Sequence, residues 1–218
     1  MNGLRKAGLA LALIAPLQVF AADTVSWTKW ADASTGQFMY GMSNVTVTYT
    51  GETFGMDPAA YIYNVPSSFT NAEVTNTPGT NGTILMQGGG PTAVNNFHFS
   101  APVVDPYMVL ISVGRDYQPV NFVFLNGSFS ILAQGAGNWG GGLLTQSGMT
   151  VTGWEGNGLL KFKGTYTDIS FITPDGEYYY GATVGGLIAG VPEPATYAML
   201  LAGLGLTGAL ARRKNKQQ

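Results

Sequence analysis

The feature that most limits how this chain can fold is a series of short β-favouring runs separated by turn residues. Asn44–Thr50 reads NVTVTYT, so Val45, Val47 and Tyr49 alternate with Thr46, Thr48 and Thr50. A period of two places the apolar side chains on one face of a strand and the hydroxyls on the other. Tyr107–Val113 (YMVLISV), Val120–Leu125 (VNFVFL) and Phe129–Ala133 (FSILA) are apolar and bulky enough for interior strands. Met149–Trp154, Leu159–Phe162, Tyr166–Ile172 and Tyr178–Val184 supply four more. Between the runs stand Asn81-Gly82, Asn126-Gly127 and Asp175-Gly176, dipeptides that tolerate the positive φ of a tight hairpin turn. No apolar period of 3.6 is sustained within this region. Many short strands, abundant glycine and no crossover helices predict a single all-β domain, a β-sandwich or jelly roll.

The two ends follow other rules. Arg5 and Lys6 precede the apolar run Ala7–Ala15, Pro16 breaks it, and Val19-Phe20-Ala21 offers small residues before a cut after Ala21. This order predicts a secretory signal peptide over residues 1–21 and an exported domain over Ala22–Gly190. Near the other end, Ala195–Ala211 is a stretch without charge, about 25 Å long as a helix. That length only just spans a hydrocarbon core. Arg212, Arg213 and Lys214 follow at once and favour the cytoplasmic side. Pro192-Glu193-Pro194 then stands at the outer face of the membrane.

Charge narrows the partners. Ala22–Gly190 holds Lys29, Arg115, Lys161 and Lys163 against eleven Asp and Glu, a formal charge of −7. Four scattered cations cannot neutralise a phosphate backbone, so no nucleic-acid partner is expected. The chain has no cysteine and one histidine, His98, which excludes thiol chemistry and multi-histidine metal sites. No D-x-[DN]-x-[DN]-G calcium loop is present either. The expectation is a domain without metal or cofactor.

Candidate chemistry is sparse. Gly135–Gly142 (GAGNWGGG) contains G-x-G-x-x-G, but a β-like segment follows it where a dinucleotide site needs a helix. It reads as a loop whose Trp139 either caps the core or meets a ligand. His98 lies between Phe97 and Phe99, and alternation turns it to solvent. Glu155, Asp168, Asp175 and Glu177 are the acids available to a glycoside-cleaving pair, with Asp175 already suited to its turn. Trp27, Trp30, Trp139, Trp154 and Tyr178-Tyr179-Tyr180 offer rings for stacking on sugars, with Trp139, Tyr178 and Tyr180 as the candidate contacts. Thr46, Thr48 and Thr50 share one strand face at roughly 7 Å spacing, a geometry that can also meet ice or another ordered surface. The balance favours a non-enzymatic binding or structural domain over a hydrolase.

At the C-terminal end the residues carry a specific likeness. Val191-Pro192-Glu193-Pro194, the apolar segment and Arg212-Arg213 together resemble the PEP-CTERM sorting signal of Gram-negative bacteria. The same module is also called an ice-binding-protein C-terminal domain. The resemblance implies recognition of Pro192, Glu193 and Pro194 by exosortase, a membrane-embedded processing enzyme. It also implies a transient stay in the inner membrane, then delivery to the cell surface or exopolysaccharide matrix. Val109–Phe124, Gly135–Gly142 and Gly156–Phe171 resemble, more loosely, the β-rich domains often attached to such signals.

Overall fold

A computed structural model describes residues 24–188 and 203–204. The expected leader over residues 1–21 and the sorting segment over residues 191–202 and 205–218 lie outside the described residues. Among those described, no helix is long and apolar enough to cross a membrane.

Fifteen strands follow in order among the described residues. They are β1 (Val25–Trp27), β2 (Lys29–Trp30), β3 (Thr35–Tyr40), β4 (Ser43–Thr50), β5 (Gly55–Asp57), β6 (Thr83–Met86), β7 (Asn95–Val104) and β8 (Tyr107–Val113). Then come β9 (Val120–Phe124), β10 (Ser128–Gly135), β11 (Leu144–Ser147), β12 (Thr150–Gly153), β13 (Gly156–Lys163), β14 (Thr165–Ile172) and β15 (Tyr180–Leu187). They form two antiparallel sheets. One is eight-stranded, in the order β11-β12-β9-β14-β7-β4-β3-β2. The other is seven-stranded, β10-β13-β8-β15-β6-β5, with β1 also paired to β15. Phe97, Phe99, Phe122 and Phe171 from the first sheet meet Met108, Leu110, Leu160 and Val184 from the second in one shared core. The expected all-β architecture is present.

Strand positions follow the local pattern closely, and partner choice does not. Asn126-Gly127 joins β9 to β10, which belong to different sheets, and Asp175-Gly176 lies between β14 and β15, also in different sheets. These dipeptides turn the chain, but they do not close hairpins. Consecutive strands pair instead across Gly41-Met42 and Gly148-Met149, where Gly41 and Gly148 adopt φ of 61° and 58°. A turn dipeptide reverses the chain locally; burial of the strand faces selects the sheet.

The outer face of the seven-stranded sheet is covered. Residues 58–82 cross it with two single 3-10 turns, Ala60–Tyr63 and Pro66–Ser68, the second opened by a proline whose fixed φ suits it. Ile62, Tyr63, Phe69 and Val74 pack there on Tyr107, Val109, Ile111 and Leu159. Asn76 secures the crossing segment by accepting from Val25 N at 2.9 Å and donating to Val25 O at 2.8 Å. β8 is therefore buried on both faces.

Candidate ligand-binding cleft

Four connections meet at one end of the seven-stranded sheet. They follow β8 and β10 and precede β13 and β15, which antiparallel register brings side by side. Between them lies a cleft of about 140 Å³ lined by Ser112, Gly114, Arg115, Trp139, Glu155, Glu177, Tyr178 and Tyr179.

A buried amide holds this end together. The pairing of β13 with β8 shifts between Gly156 and Gly158, and Asn157 sits fully buried at the shift. Its Oδ1 accepts from Ser112 N at 2.9 Å, while its Nδ2 donates to Glu155 O at 3.2 Å and Gly135 O at 3.4 Å. Ser112 Oγ in turn donates to Trp139 O at 3.2 Å. One side chain thus ties together the ends of β8 and β10 and the start of β13. The irregularity also changes the phase of β8: Met108 and Leu110 face the main core, and after Ser112 it is Val113 that does so.

Backbone strain is concentrated here. Ser112 and Glu155 adopt φ of 52° and 55°, a region that costs a residue bearing a Cβ on the order of 1 kcal/mol or more. Two glycines make the close approaches possible. A Cβ on Gly140 (φ 110°) would lie 2.3 Å from Glu155 Oε2, and one on Gly114 (φ 84°) would lie 2.1 Å from Gly153 O.

The charges of the cleft are uneven. Burial pushes the Glu177 carboxyl up to about 7; Arg115 pulls against that shift, and Glu155 adds to it. The Arg115 guanidinium lies 4.1 Å over the Tyr178 ring, a cation–π contact. The Arg115 guanidinium is hydrogen-bonded to the Tyr117 side chain and the Glu177 carboxyl to the Gly114 backbone. Arg115 Nε and Glu177 Oε2 themselves are closed off from solvent, with no hydrogen-bond partner among the described residues.

Aromatic rings continue the cleft outward. Tyr61, Trp139, Tyr179 and Phe54 touch in succession, with centroid separations of 5.9, 5.1 and 6.0 Å. Tyr61 and Phe54 are about half exposed. Beyond Tyr179 a second depression of about 220 Å³ is lined by Glu52, Thr53, Phe54, Gln87 and Gly88. Gln87 Nε2 joins the two by donating to Tyr178 O at 3.0 Å.

Of the residues expected to meet a ligand, Trp139 and Tyr178 share this cleft. Tyr180 does not. It begins β15 and is fully buried against Phe122, because the strand starts there rather than at Tyr178. Trp27 and Trp30 are also core residues, with their indole N–H groups donated to Asn76 O and Thr183 Oγ1. Among the acids, Glu155 and Glu177 converge, whereas Asp175 accepts from Asn121 N and Nδ2. Asp168 pairs with His98 Nδ1 at 2.9 Å on the outer face of the other sheet. Thr46 and Thr50 are exposed on that face, and Thr48 lies half-buried between Thr35 and His98. Arg115 and Asn157 gave no signal as site residues in the sequence, because each matters only through its neighbours; Tyr179 lay within the aromatic run Tyr178-Tyr179-Tyr180 but was not singled out as a contact.

Comparison with protein-family models matches one segment, residues 190–214, to the PEP-CTERM protein-sorting motif. The chain carries a PEP-CTERM sorting signal. That agrees with the reading of Val191-Pro192-Glu193-Pro194 and marks the protein for exosortase-directed export through the membrane to the cell surface. No curated protein and no solved structure matches the chain. The sorting signal thus assigns a route, and the β domain it accompanies must be read from its own geometry.

Proposed function

We propose that this exosortase substrate is a non-enzymatic cell-surface or matrix protein whose β domain binds polysaccharide at the cleft built around Trp139. The order of the strands supports a jelly-roll-like sandwich: β6-β15-β8-β13 lies in one sheet and β7-β14-β9-β12 in the other, and from β6 to β15 the chain alternates between them except at the β11–β12 hairpin. The observation that carries the binding reading is the row Tyr61–Trp139–Tyr179–Phe54, which links two depressions. Rings in succession suit a polymer of sugars, whose C–H faces are apolar and pack on the electron-rich faces of aromatic side chains. The test is retention of the full-length chain on the producer's own exopolysaccharide by affinity electrophoresis. Trp139→Ala is expected to weaken retention at least about tenfold, on the scale of one large aromatic contact; unchanged retention overturns the reading.

A second reading, polysaccharide hydrolysis, is favoured by one observation. Glu155 and Glu177 share the cleft, and a carboxyl pushed up to about 7 remains partly protonated at neutral pH, as a general acid must be. Release of reducing ends by the wild type, abolished in both Glu155→Gln and Glu177→Gln, would establish hydrolysis in place of binding alone.

A further inference from the structure

The first and last strands of the β domain meet at one pole, opposite the cleft. β15 starts at Tyr180, next to the cleft, and ends at Leu187, about 24 Å away at the rise of an extended strand. There it pairs with β1, Val25 against Leu187, and Ile188 N donates to Thr24 O at 3.4 Å. The turns between β3 and β4 and between β7 and β8 reach the same pole. A Cβ on Gly186 would lie 3.0 Å from both Tyr40 and Val103, and the Tyr40 hydroxyl accepts from Val104 N at 3.0 Å.

This pole is apolar where it meets solvent, and its charges cancel. Met42, at the tip of the β3–β4 hairpin, is 99% exposed, and Met39, Val104 and Ile188 are each about half exposed. Among the described residues, Lys163 adjoins the Gly164 whose N–H donates to Asp105, and Lys161 just behind them pairs with Glu73. The acids gather at the other end. Glu52, Glu155 and Glu177 line the two depressions there, and Asp116 and Asp175 lie in the connections beside them.

The position of the sorting signal points to what this pole meets. The matched motif begins at residue 190, and six residues separate Ile188 from the charge-free run Ala195–Ala211. Fully extended, that connection reaches at most about 25 Å, so the pole is held close to any bilayer that takes up the run. An anionic lipid surface repels the acidic end and spares the neutral pole. Exposed methionine and aliphatic side chains gain by leaving water at the headgroup boundary. A second copy of the chain fits less well, because four side chains around one hairpin tip fall well short of the roughly 800 Å² per partner that a stable interface buries.

We infer that, while the sorting segment remains attached, the pole formed by Met39, Met42, Val104 and Ile188 rests on the lipid headgroup surface and the cleft faces away from it. This rests on the reading of Ala195–Ala211 as a membrane-spanning segment.

The chain has no cysteine, so each single-cysteine variant takes one label. Met42→Cys and Asp116→Cys are made in the exported form, Ala22–Gln218, and carry a nitrobenzoxadiazole dye. Both are reconstituted into vesicles of phosphatidylethanolamine and phosphatidylglycerol, with and without nitroxide-bearing lipid. The label at residue 42 is expected to shift to the blue and to be quenched by nitroxides about 5–10 Å below the headgroup surface, the depth of shallow apolar insertion. The label at residue 116 is expected to show neither change. If the chain floats with the vesicles while the label at 42 stays unquenched, or the label at 116 is quenched equally, the inference is overturned and the membrane span stands. A blue shift at 42 without nitroxide quenching places a second copy on this pole and overturns it as well. Failure to float overturns both.

Discussion

β4 and β8 have nearly the same length and lie in antiparallel sheets of one domain, yet their surroundings are opposite. In β4, Val45, Val47 and Tyr49 are buried while Thr46 and Thr50 face solvent. In β8 every residue from Tyr107 to Val113 is buried. The first strand has one covered face; the second is covered by the shared core on one side and by residues 58–82 on the other. The difference teaches that a continuous apolar strand signals a second layer, even in an antiparallel sheet where one wet face is common. It also locates the candidate site, since the cleft forms where that second layer meets the end of β8.

The comparison can be broken most severely at the covering layer. Phe69 is fully buried there and packs edge-on to Tyr63 at 5.3 Å. Phe69→Ala should destabilise the domain by about 3–5 kcal/mol, read as a lower denaturant midpoint. A loss below about 1 kcal/mol would mean that the layer contributes little. Next in size is Asn157→Leu, which removes the amide that joins Ser112, Glu155 and Gly135. It should cost about 2–3 kcal/mol from the backbone groups left unpaired, and it should abolish glycan retention as well.

A smaller effect tests the charge of the cleft. The Glu177 carboxyl is raised to about 7 in the folded protein, so the native state holds its proton more tightly than the unfolded chain does. Its contribution to stability is therefore fully present at low pH and is lost as pH rises through about 7. Glu177→Gln should raise the melting temperature at pH 8 by roughly 2–4 °C, about 1 kcal/mol for a domain of this size, and leave it nearly unchanged at pH 4. An equal gain at both pH values would show that the carboxylate's charge is not the cause. The smallest effect belongs to the uncovered face: Thr46→Ala should alter stability by no more than about 0.5 kcal/mol by thermal melting. Phe69→Ala and Thr46→Ala together rank the two outer faces by their energetic weight, and the other two variants weigh the cleft between the strand ends.

The sequence by itself determined whatever depends on neighbours along the chain. Alternation marked β4, an unbroken apolar run marked β8, and Phe97-His98-Phe99 correctly turned the histidine outward. The sorting signal was legible for the same reason, being a linear segment that Pro192, Glu193 and Pro194 specify in order. Tyr178-Tyr179-Tyr180 was only half legible, because similarity of residue type hides where a strand begins: Tyr178 and Tyr179 remain in the connection while Tyr180 enters the core. Tertiary structure alone decided which sheet each strand joined and which side chains met. Asn126-Gly127 encodes a reversal of direction, but the choice between sheets depends on burying both faces of strands drawn from the whole chain. Arg115, Trp139, Glu155 and Glu177 come from four separate connections, and only the register of β8, β10, β13 and β15 makes them neighbours.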